Sequence, residues 1–577
     1  MKIVLAKTAG FCMGVRRAVE MALEAPNHYQ PPIFTFGPLI HNPQVMDLLE
    51  ERGIRVIHEI PEKGNGTVLI RAHGVPPEIQ EKLKTAGFTV IDATCPRVIK
   101  VQTIIDKHAR SGSATIIIGD REHPEVAGLL GYARKNGHVA GSLEELIRLP
   151  VFRDAVIVAQ TTQNTRLFEE IKAWTAQKYP HYKIFDTICG STENRQAEIR
   201  RMAEDVDAVV VVGGKDSGNT QRLANIAKET GKPVLHIETE SELDVSFLEN
   251  VRKIGLTAGA STPNWIIKRV YRALETLPAS KVKGIGALFF NLQRSLLLTN
   301  TYTALGAGCL CYAASKLQKI PNSYPAILIS MLYILAMHII NNLTGSKADR
   351  YNEPERAAFY KTYQFPLSFL AVFSGLACLI IAFFEGVVPF LVILAMSIMG
   401  LSYNLRLIPK PFSLGKYFRI RDIPGSKTVL IAMAWGIVTS VYPVLALSGK
   451  VHLITAFAFL WTTGLVFVRT AFSDIVDMQG DRIVGKETIP ILVGEKRTMD
   501  LLKFTLTGIT LMFLVAGFLR LIPGLGFFLV ICSVLMFILL GAYEKGYMAG
   551  GVRLEFLIES HFVLAGVLTY LWMSVLN

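Results

Sequence analysis

Cysteine is scarce in this sequence, and its spacing is not that of a disulfide framework. The 577 residues include seven cysteines, an odd number. Reduced thiols or metal ligands are therefore expected rather than a disulfide scaffold. The N-terminus also lacks the features of a secretory signal, because the apolar stretch at residues 3–6 is too short and Lys7 interrupts it. We therefore expect the first half of the chain to lie in the cytoplasm.

The net charge is positive, yet the pattern expected of a nucleic-acid binder is missing. The sequence has 60 Lys and Arg against 47 Asp and Glu, a formal charge of +13. These cations are not gathered into a stripe interleaved with aromatic residues. In the second half they cluster in particular loops between apolar runs, as positive-inside membrane topology requires. Nucleic acid is therefore not an expected partner.

Long apolar runs are absent from the first half and frequent in the second. Hydrophobic residues make up 51% of the chain, and the mean hydropathy is +0.36. The first 280 residues alternate charged and apolar segments as a soluble α/β protein does, whereas from about Leu296 apolar runs of membrane-spanning length recur. We predict about nine spans, near 297–316, 323–343, 365–384, 386–404, 427–447, 452–471, 503–520, 525–543 and 556–576.

The loops between these spans predict their orientation. With the first half cytoplasmic, the inward loops carry about eighteen Lys and Arg against about four in the outward loops, as the positive-inside rule asks. The most basic inward loop, residues 406–427, is either a topology signal or a binding site for an anionic ligand. The chain is therefore expected to be a multi-pass protein of the cell (inner) membrane.

Three cysteines share one local pattern in the first half. Cys12 ends K-I-V-L-A-K-T-A-G-F-C, Cys95 lies in V-I-D-A-T-C-P, and Cys189 ends K-I-F-D-T-I-C. Each follows a short β-type apolar stretch, and parallel α/β sheets bind ligands at the carboxyl ends of their strands. We therefore predict that the three thiolates converge on one metal centre. For any one of them alone, the alternative is a small buried packing residue.

Three histidines and one glutamate follow apolar strands in the same way. His41 lies in P-L-I-H-N-P, His73 in V-L-I-R-A-H-G-V-P-P, and His123 in I-I-I-G-D-R-E-H-P-E-V. Glu125 stands two residues beyond His123, so that a carboxylate and an imidazole of one loop are placed to move protons. The alternatives are structural histidines and a surface glutamate.

Loops rich in Gly, Ser, Thr and Asn follow three further predicted strands, in residues 155–165, 208–220 and 257–263. Backbone N–H groups at glycine-rich turns, with hydroxyl and amide side chains at a following helix start, form cradles for diphosphates. None of the loops contains the G-K-[S/T] of a Walker motif, which argues against a nucleoside triphosphatase.

Together these motifs resemble the 4-hydroxy-3-methylbut-2-enyl diphosphate reductases (the LytB family), the last enzyme of the non-mevalonate isoprenoid pathway. The matching segments, in order, are F-C-M-G-V-R-R-A, I-H-N, R-A-H-G-V, D-A-T-C-P, E-H-P-E-V, Q-T-T, I-C near N-R-Q, G-G-K-D-S-G-N-T and G-A-S-T-P. The resemblance implies an α/β trefoil of three pseudo-repeated parallel-sheet units around an iron–sulfur cluster.

The resemblance also implies roles for individual residues. Cys12, Cys95 and Cys189 would hold a [4Fe-4S] cluster with one iron left open to the substrate hydroxyl. Glu125 would deliver a proton through Thr161, with His123 close by. The diphosphate would be held by His41, His73, Ser217, Asn219 and Ser261. Gly218 stands where many relatives carry a second serine, so a hydroxyl contact is expected to be missing or replaced by its backbone N–H. An external carrier such as ferredoxin or flavodoxin would supply the electrons.

The second half resembles the UbiA-type intramembrane prenyltransferases, which have nine helices and two aspartate-rich loops. The second loop matches through Asp474, Asp477 and Asp481 and the trailing T-I-P-I-L-V-G, and L-S-Y-N-L at residues 401–405 resembles the tyrosine motif. Carboxylates at a membrane edge suit Mg²⁺ that bridges to a diphosphate. In the first loop Asn341 and Asp349 fit, but Asn342 and Gly345 replace aspartates, which should weaken one Mg²⁺ site.

These observations predict a fusion of a reductase-like domain over residues 1–280, a linker over 281–296, and an all-α membrane bundle over 297–577. The first half would reduce an allylic diphosphate to isopentenyl and dimethylallyl diphosphates, and the second would transfer a prenyl group to an acceptor. Two alternatives remain. The membrane half is a non-catalytic anchor or prenyl-lipid binder, or the soluble half is an iron–sulfur sensor without turnover. Cys309, Cys311, Cys378 and Cys532 are expected to be packing residues.

Overall fold

The structure is a computed structural model that describes residues 1–244, 246–248, 251–281, 285–321, 323–345, 349–404, 425–483, 486–548 and 550–575. Side chains are not described at the helix-end positions 277–281, 285–287, 349–350, 403–404 and 483. The chain divides into two compact units, Met1–Leu274 and Glu275–Asn577.

The first unit alternates short strands with helices. Its strands are β1 (Lys2–Leu5), β2 (Ile33–Phe36), β3 (Ile54–Ile57), β4 (Thr67–Ile70), β5 (Thr89–Asp92), β6 (Ala114–Ile118), β7 (Gly137–Ala140), β8 (Ala155–Ala159), β9 (Lys183–Ile184), β10 (Ala208–Val212), β11 (Val234–Ile237) and β12 (Lys253–Ala258). Its helices are α1 (Met13–His28), α2 (Pro43–Glu51), α3 (Pro77–Thr85), α4 (Pro96–Arg110), α5 (Pro124–Tyr132), α6 (Leu143–Ile147), α7 (Thr165–Lys178), α8 (Gly190–Glu204), α9 (Gly218–Glu229) and α10 (Asn264–Lys281), the last of which runs on into the second unit.

The strands form three four-stranded parallel sheets with one shared topology. The strand orders are β3-β2-β4-β5, β7-β6-β8-β9 and β11-β10-β12-β1. Every pairing is parallel, with β1 from the start of the chain completing the sheet made by the last three strands. The expectation of parallel-sheet α/β units is therefore confirmed.

Burial explains why the inner strands are almost entirely apolar. Every residue of β4, β6, β8 and β10 is buried, since helices cover both faces of a parallel sheet. Short Val- and Ile-rich runs such as A-V-V-V-V in β10 fit this environment. Rigid inner strands then present their carboxyl ends, and the loops that follow them, in fixed positions.

The second unit is helical. Its helices are α11 (Ile285–Leu298), α12 (Thr301–Leu317), α13 (Tyr324–Leu343), α14 (Asp349–Asn352), α15 (Pro354–Thr362), α16 (Gln364–Glu385), α17 (Val387–Asn404), α18 (Ser426–Gly436), α19 (Tyr442–Ser448), α20 (Leu453–Ile483), α21 (Ile489–Val493), α22 (Glu495–Phe518), α23 (Leu525–Glu544) and α24 (Val552–Val575). A π-helical segment, Ile437–Val441, joins α18 to α19. Most of the predicted linker, 281–296, is therefore helical as part of α11.

Within the described residues, seven helices are long and apolar enough to cross a membrane. They are α13, α16, the continuous run α18–α19, α20, α22, α23 and α24. The other two predicted spans coincide with α12, which has 17 residues, and with the shorter apolar stretch Val387–Ser402 of α17. A helical membrane-like unit is thus confirmed, while the count of nine spans stays a prediction.

The apolar residues of this unit fall into two classes. Trp435, Trp461 and Tyr442 are fully buried in the bundle core, whereas Phe365 and Phe384 at the two ends of α16 are more than four-fifths exposed. Outward-facing phenylalanines are what a lipid environment favours. Three of the four cysteines of this unit, Cys311, Cys378 and Cys532, are buried free thiols, in keeping with packing roles.

Candidate functional site

The three predicted cysteine ligands occupy equivalent positions in the three sheets. Each follows the strand in the fourth position of its sheet order, β1, β5 or β9, and each is the N-cap residue of the next helix, α1, α4 or α8. All three are free and only partly buried. Helix N-termini present backbone N–H groups and a favourable dipole to a thiolate. The fold therefore repeats one thiol-presenting unit three times.

Contacts between loops bring these thiols towards one another. A Cβ atom added to Gly14, in the first turn of α1, would lie 2.3 Å from Cys95 Sγ, so only glycine permits this approach. Burial raises the pKa of Cys95, and the nearby Cys12 and Cys189 thiols raise it further. At Cys95 burial therefore affects the thiol pKa more than the helix N-terminus does.

Two arginines, neither of which the sequence motifs had indicated, tie the cysteine loops together. Arg17 of α1 donates to the carbonyl oxygen of Thr94, next to Cys95, at 3.0 Å. Arg195 of α8 donates to the carbonyl oxygens of Gly10 at 2.5 Å and Ala258 at 3.0 Å. Arg195 is 4% exposed, and burial lowers its pKa.

The three predicted histidines meet in one cluster. The ring centroids of His41 and His73 are 4.8 Å apart, those of His73 and His123 are 5.4 Å apart, and those of His41 and His123 are 5.8 Å apart. One ligand atom from each ring lies within 4.8 Å of those of the other two, so the group has the spacing of a metal site. It follows β2, β4 and β6, the inner strands of two neighbouring sheets.

Charges around the cluster favour an anion over a metal cation. The positive charge of Arg71 lowers the pKa of all three histidines, and that of Arg222 lowers the pKa of His123. The carboxylate of Asp216 acts in the opposite direction on His41, and that of Asp120 does so on His123. Arg222 is itself paired with Asp120. Two guanidinium groups beside neutral imidazoles suit a phosphate ligand. Arg71, two residues before His73, is a further residue to which the sequence analysis gave no role.

The histidines are held neutral with ring nitrogens available to a ligand. Burial and the neighbouring cations lower the pKa of His41 and His73, and they lower the pKa of His123 to about 4. His123 Nδ1 accepts a hydrogen bond of 3.1 Å from the backbone N–H of Glu125, so its proton resides on Nε2. Buried His41 Nε2 and His73 Nδ1 have no hydrogen-bond partner within the described part of the chain. Buried unpaired polar atoms are costly, which indicates a site built for a polar ligand.

Hydroxyl and amide side chains follow the remaining inner strands. Ser217, the N-cap of α9, lies beyond β10, and its Oγ is 3.3 Å from Oγ of Ser261, which lies beyond β12. Buried Asn219 Nδ2 also lacks a partner among the described residues. A Cβ atom at Gly218 would lie 3.3 Å from His123 Cδ2. These loops therefore reach the histidine cluster at Gly218.

Glu125 and Thr161 form a buried pair beside His123. Glu125 is 2% exposed, and its Oε1 and Oε2 accept hydrogen bonds from the backbone N–H of Thr161 at 2.6 Å and from Thr161 Oγ1 at 2.9 Å. Burial raises the pKa of Glu125 against the opposing effect of these hydrogen bonds. The carbonyl oxygen of Thr161 accepts from the backbone N–H of Cys189 at 2.9 Å, which links this pair directly to a cysteine loop.

In the membrane unit the aspartates of the second motif lie towards the C-terminal end of α20. Asp474 accepts a hydrogen bond of 2.6 Å from Thr428 Oγ1 and lies 3.5 Å from Lys427 Nζ. Asp481 accepts from Asn352 Nδ2 at 3.0 Å and from Lys486 Nζ at 3.2 Å. Both carboxylates are buried and are already paired with ammonium groups.

The expected Mg²⁺ group is not preformed there. Within the described residues, the three histidines are the group whose ligand atoms come close enough for one metal ion, and the three aspartates form no such group. That Asp474, Asp477 and Asp481 share one cation therefore stays a prediction, and in this arrangement Lys427 pairs with Asp474 and Lys486 with Asp481. Asn341 is exposed near the end of α13, and the side chain of Asp349 lies outside the described residues, as do Tyr403, Asn404 and the basic loop 405–424.

Comparison with known proteins decides the family. Residues 3–275 match the model for the LytB protein. The reductase named 4-hydroxy-3-methylbut-2-enyl diphosphate reductase from Geobacter sulfurreducens is 42% identical over 49% of this chain and 99% of its own length. The chain belongs to this reductase family. A second relative of the same name, from Nitratidesulfovibrio vulgaris, is 45% identical over 48% of this chain and all of its own length.

The membrane unit has its own match. Residues 301–548 match the model of the UbiA prenyltransferase family. A solved UbiA homolog from Archaeoglobus fulgidus, bound to DMAPP and Mg²⁺, is 16% identical, covers 49% of this chain and 98% of its own, and has a TM-score of 0.32. The reductase family therefore accounts for the first half alone, and the second half is an additional domain.

Proposed function

We propose that the first half catalyses the reductive dehydroxylation of (E)-4-hydroxy-3-methylbut-2-enyl diphosphate to isopentenyl and dimethylallyl diphosphates. The observation that carries this proposal is the buried Glu125–Thr161 pair, which lies between the neutral histidine cluster and the loop of Cys189. The carboxyl group of Glu125, the histidine cluster and a cysteine loop are thus next to one another. The reductases named above are 42% and 45% identical over the whole of this half.

Cys12, Cys95 and Cys189 would hold a [4Fe-4S] cluster. Three partly buried thiols at three helix N-termini, in equivalent positions of three sheets, fit a group that takes three protein ligands. When bound, such a cluster supplies electrons and a Lewis-acidic iron for the substrate hydroxyl. The chain's own contribution here is to fix the loops through Arg17 and Arg195.

The diphosphate would be bound by the histidine cluster and by the loops after β10 and β12. Neutral His123 offers Nε2–H, and His41, Asn219, Ser217 and Ser261 add buried polar atoms. Arg71 supplies a permanent positive charge beside the rings. Because each buried donor is costly when unpaired, a bound diphosphate gains hydrogen bonds that the free protein does not make.

Glu125 would deliver the proton. Its raised pKa keeps a proton on the carboxyl group to higher pH than for an exposed glutamate, and Thr161 Oγ1 is 2.9 Å from Oε2. The threonine hydroxyl can therefore donate a proton towards the allylic alcohol and take a replacement proton from Glu125. The reaction consumes two electrons and two protons, breaks the C–O bond and releases water.

The direct experiment is anaerobic turnover of this diphosphate by the cluster-reconstituted full chain, with dithionite-reduced methyl viologen as the electron source. Formation of both five-carbon products is expected. Stoichiometric binding of the diphosphate without product, in protein that holds the full complement of iron, would contradict the proposal and favour a sensor role.

We further propose that the second half transfers a prenyl group to an acceptor, in a multi-pass chain of the inner membrane with the first half on the cytoplasmic side. Two features support this: the match to the UbiA prenyltransferase family and two carboxylates buried towards the end of α20. Ionisable side chains at such depth are seldom without function. Mg²⁺ held by Asp474, Asp477 and Asp481 is part of this proposal and would have to displace Lys427 and Lys486 from two of the carboxylates.

A radiolabelled prenyl diphosphate added to membranes containing the full chain tests this second activity. We expect transfer of label to a lipid-soluble acceptor, with loss of transfer in Asp474→Asn and Asp481→Asn. Asp500→Asn, at an exposed position on α22, is the matched control. Comparing samples with added Mg²⁺ and with a chelator shows whether a metal displaces Lys427 and Lys486. Equal label transfer by all variants would refute a catalytic role for the two aspartates.

A further inference from the structure

One part of the surface next to the cysteines combines exposed apolar and basic residues. It is formed by the first two turns of α1 and α4, which begin directly after Cys12 and Cys95. Met13 is 68% exposed and Ile99 is 39% exposed, and Arg16, Arg97 and Lys100 are exposed around them. We call these five residues the α1–α4 face.

The two helix starts form one continuous surface. Gly14 of α1 lies so close to Cys95 Sγ that a Cβ atom there would collide with it, and Arg17 donates to the carbonyl oxygen of Thr94. Met13 and Arg97, which flank these contacts in sequence, therefore belong to the same patch. The patch lies on the helix turns that directly follow Cys12 and Cys95.

The charge of this surface is distinctly positive. Residues 13–20 and 96–103 contain four cations, Arg16, Arg17, Arg97 and Lys100, and one carboxylate, Glu20. The third cysteine helix differs, since α8 has the exposed acidic Glu193 in its first turn and its Arg195 is buried. Exposed basic residues therefore accompany the starts of α1 and α4 but not the first turn of α8.

We propose that the α1–α4 face is the docking surface for the protein that delivers electrons, a one-electron iron–sulfur or flavin carrier with an acidic surface around its own redox group. This inference rests on the function proposed above. Complementary charge steers encounter, and a small apolar centre with a charged rim is typical of weak redox complexes. Each turnover requires two encounters, at each of which the carrier is oxidised by one electron.

An anionic lipid surface is the other class of partner that a basic and apolar patch could fit. The position of the patch favours the redox carrier, because its residues surround the N-terminal ends of the two helices that present Cys12 and Cys95. A lipid-binding role would give no reason for this placement.

The test compares two electron sources on the same full-length protein in nanodiscs. The variant Arg16→Glu with Lys100→Glu reverses two exposed charges of the face. The matched control, Lys63→Glu with Lys228→Glu, reverses two exposed charges elsewhere, in the β3–β4 loop and near the end of α9. Substrate reduction is driven either by reduced methyl viologen or by a reduced acidic ferredoxin, with a flavodoxin as the second carrier.

With either carrier protein, the face variant is expected to show a KM for the carrier about tenfold higher than wild type, with less dependence on salt. Its viologen-driven rate and its iron content should match those of wild type, and the control variant should match wild type in every assay. A Met13→Ser variant should raise the carrier KM without changing its salt dependence.

Three outcomes would overturn the inference. An unchanged carrier KM in the face variant removes the face from docking. An equally large loss of rate with methyl viologen would show that Arg16 and Lys100 maintain the structure of the site rather than bind the carrier. A defect seen in phosphatidylglycerol nanodiscs but not in phosphatidylcholine nanodiscs identifies lipid as the partner. Failure of viologen-driven turnover in wild type would instead refute the proposed reductase function.

Discussion

The carboxylate of Glu125 is held through both of its oxygens by a single residue, Thr161. The backbone N–H of Thr161 donates to Oε1 at 2.6 Å, and its hydroxyl donates to Oε2 at 2.9 Å. This contact joins the start of α5 to the loop after β8 and points the threonine hydroxyl and the carboxyl group at each other. The proposed proton delivery depends on this fixed geometry.

Replacing Glu125 with Gln is expected to lower kcat by about 10²–10⁴-fold, because the amide keeps the hydrogen bond to Thr161 but has no acidic proton. The KM for the diphosphate should change little, since Glu125 does not belong to the anion cradle. Steady-state kinetics with methyl viologen measures both parameters. Glu125→Asp, which retains an acid, should recover part of the lost rate. Substantial turnover by Glu125→Gln would remove this residue from proton delivery.

Acid should destabilise the first unit through His123. Its pKa is lowered to about 4 in the folded protein, against an ordinary value of 6.5, so the folded state favours the neutral ring. The resulting stability is fully present above pH 6.5 and is lost as the pH falls from 6.5 to 4. His123→Gln should flatten the pH dependence of thermal unfolding within this window. His28→Gln, on an exposed histidine at the end of α1, is the control, and an identical acid profile in wild type and His123→Gln would contradict the assignment.

A serine at position 218 should affect binding more than chemistry. Its Cβ atom would lie 3.3 Å from His123 Cδ2, close enough to displace the ring by a few tenths of an ångström, while its hydroxyl would add a donor to the cradle. We expect Gly218→Ser to alter the KM for the diphosphate several-fold, with kcat nearly unchanged. Gly218→Ala introduces the same crowding without the hydroxyl and should only weaken binding. A large fall in kcat for both variants would show that the position of His123 governs the chemistry.

Arg195 should behave as a positioning residue for the cysteine loops. Arg195→Met leaves the carbonyl oxygens of Gly10 and Ala258 without their donor, a destabilisation of about 2–4 kcal/mol. We expect lower iron content after reconstitution and a changed electron paramagnetic resonance spectrum of the reduced protein. Arg195→Lys retains the charge and one hydrogen bond, and it should restore part of the iron content. Full iron content and an unchanged spectrum in Arg195→Met would exclude this role.

Local patterns in the sequence predict the elements of the site because each functional residue follows its own strand. An apolar run followed by a polar turn predicts the cysteine and histidine residues of the first half, whereas Thr161, Ser217 and Ser261 follow from the family resemblance. The structure brings His41, His73 and His123 together. The roles of Arg17, Arg71, Arg195 and Arg222 escaped that pattern. Arg17, Arg195 and Arg222 act on loops or rings from distant parts of the chain, and Arg71 acts on His41 and His123 as well as on its neighbour His73. Nothing in the neighbouring residues reveals the distant partners.

In the membrane half the sequence predicts the helices but not the partners of the buried carboxylates. Hydropathy predicted nine spans, because a lipid-facing helix must be apolar along its length, and seven of the described helices are long and apolar enough to cross a membrane. The aspartate spacing on α20 also suggested one shared cation, yet Asp474 is paired with Lys427 and Asp481 with Lys486 and Asn352. Spacing along one helix fixes which face a carboxylate occupies, but its partner comes from other segments.

The sequence by itself determined the parallel α/β character of the first half, the apolar helices of the second, and the residue types at each strand end. Only the tertiary structure decided that three sheets share one strand order, that β1 completes the sheet of β10–β12, and that the guanidinium groups of Arg71 and Arg222 lie near the histidine cluster. The reason is physical: periodicity and turn chemistry act over a few neighbouring residues, whereas burial, charge pairing and pKa depend on which distant segments pack together.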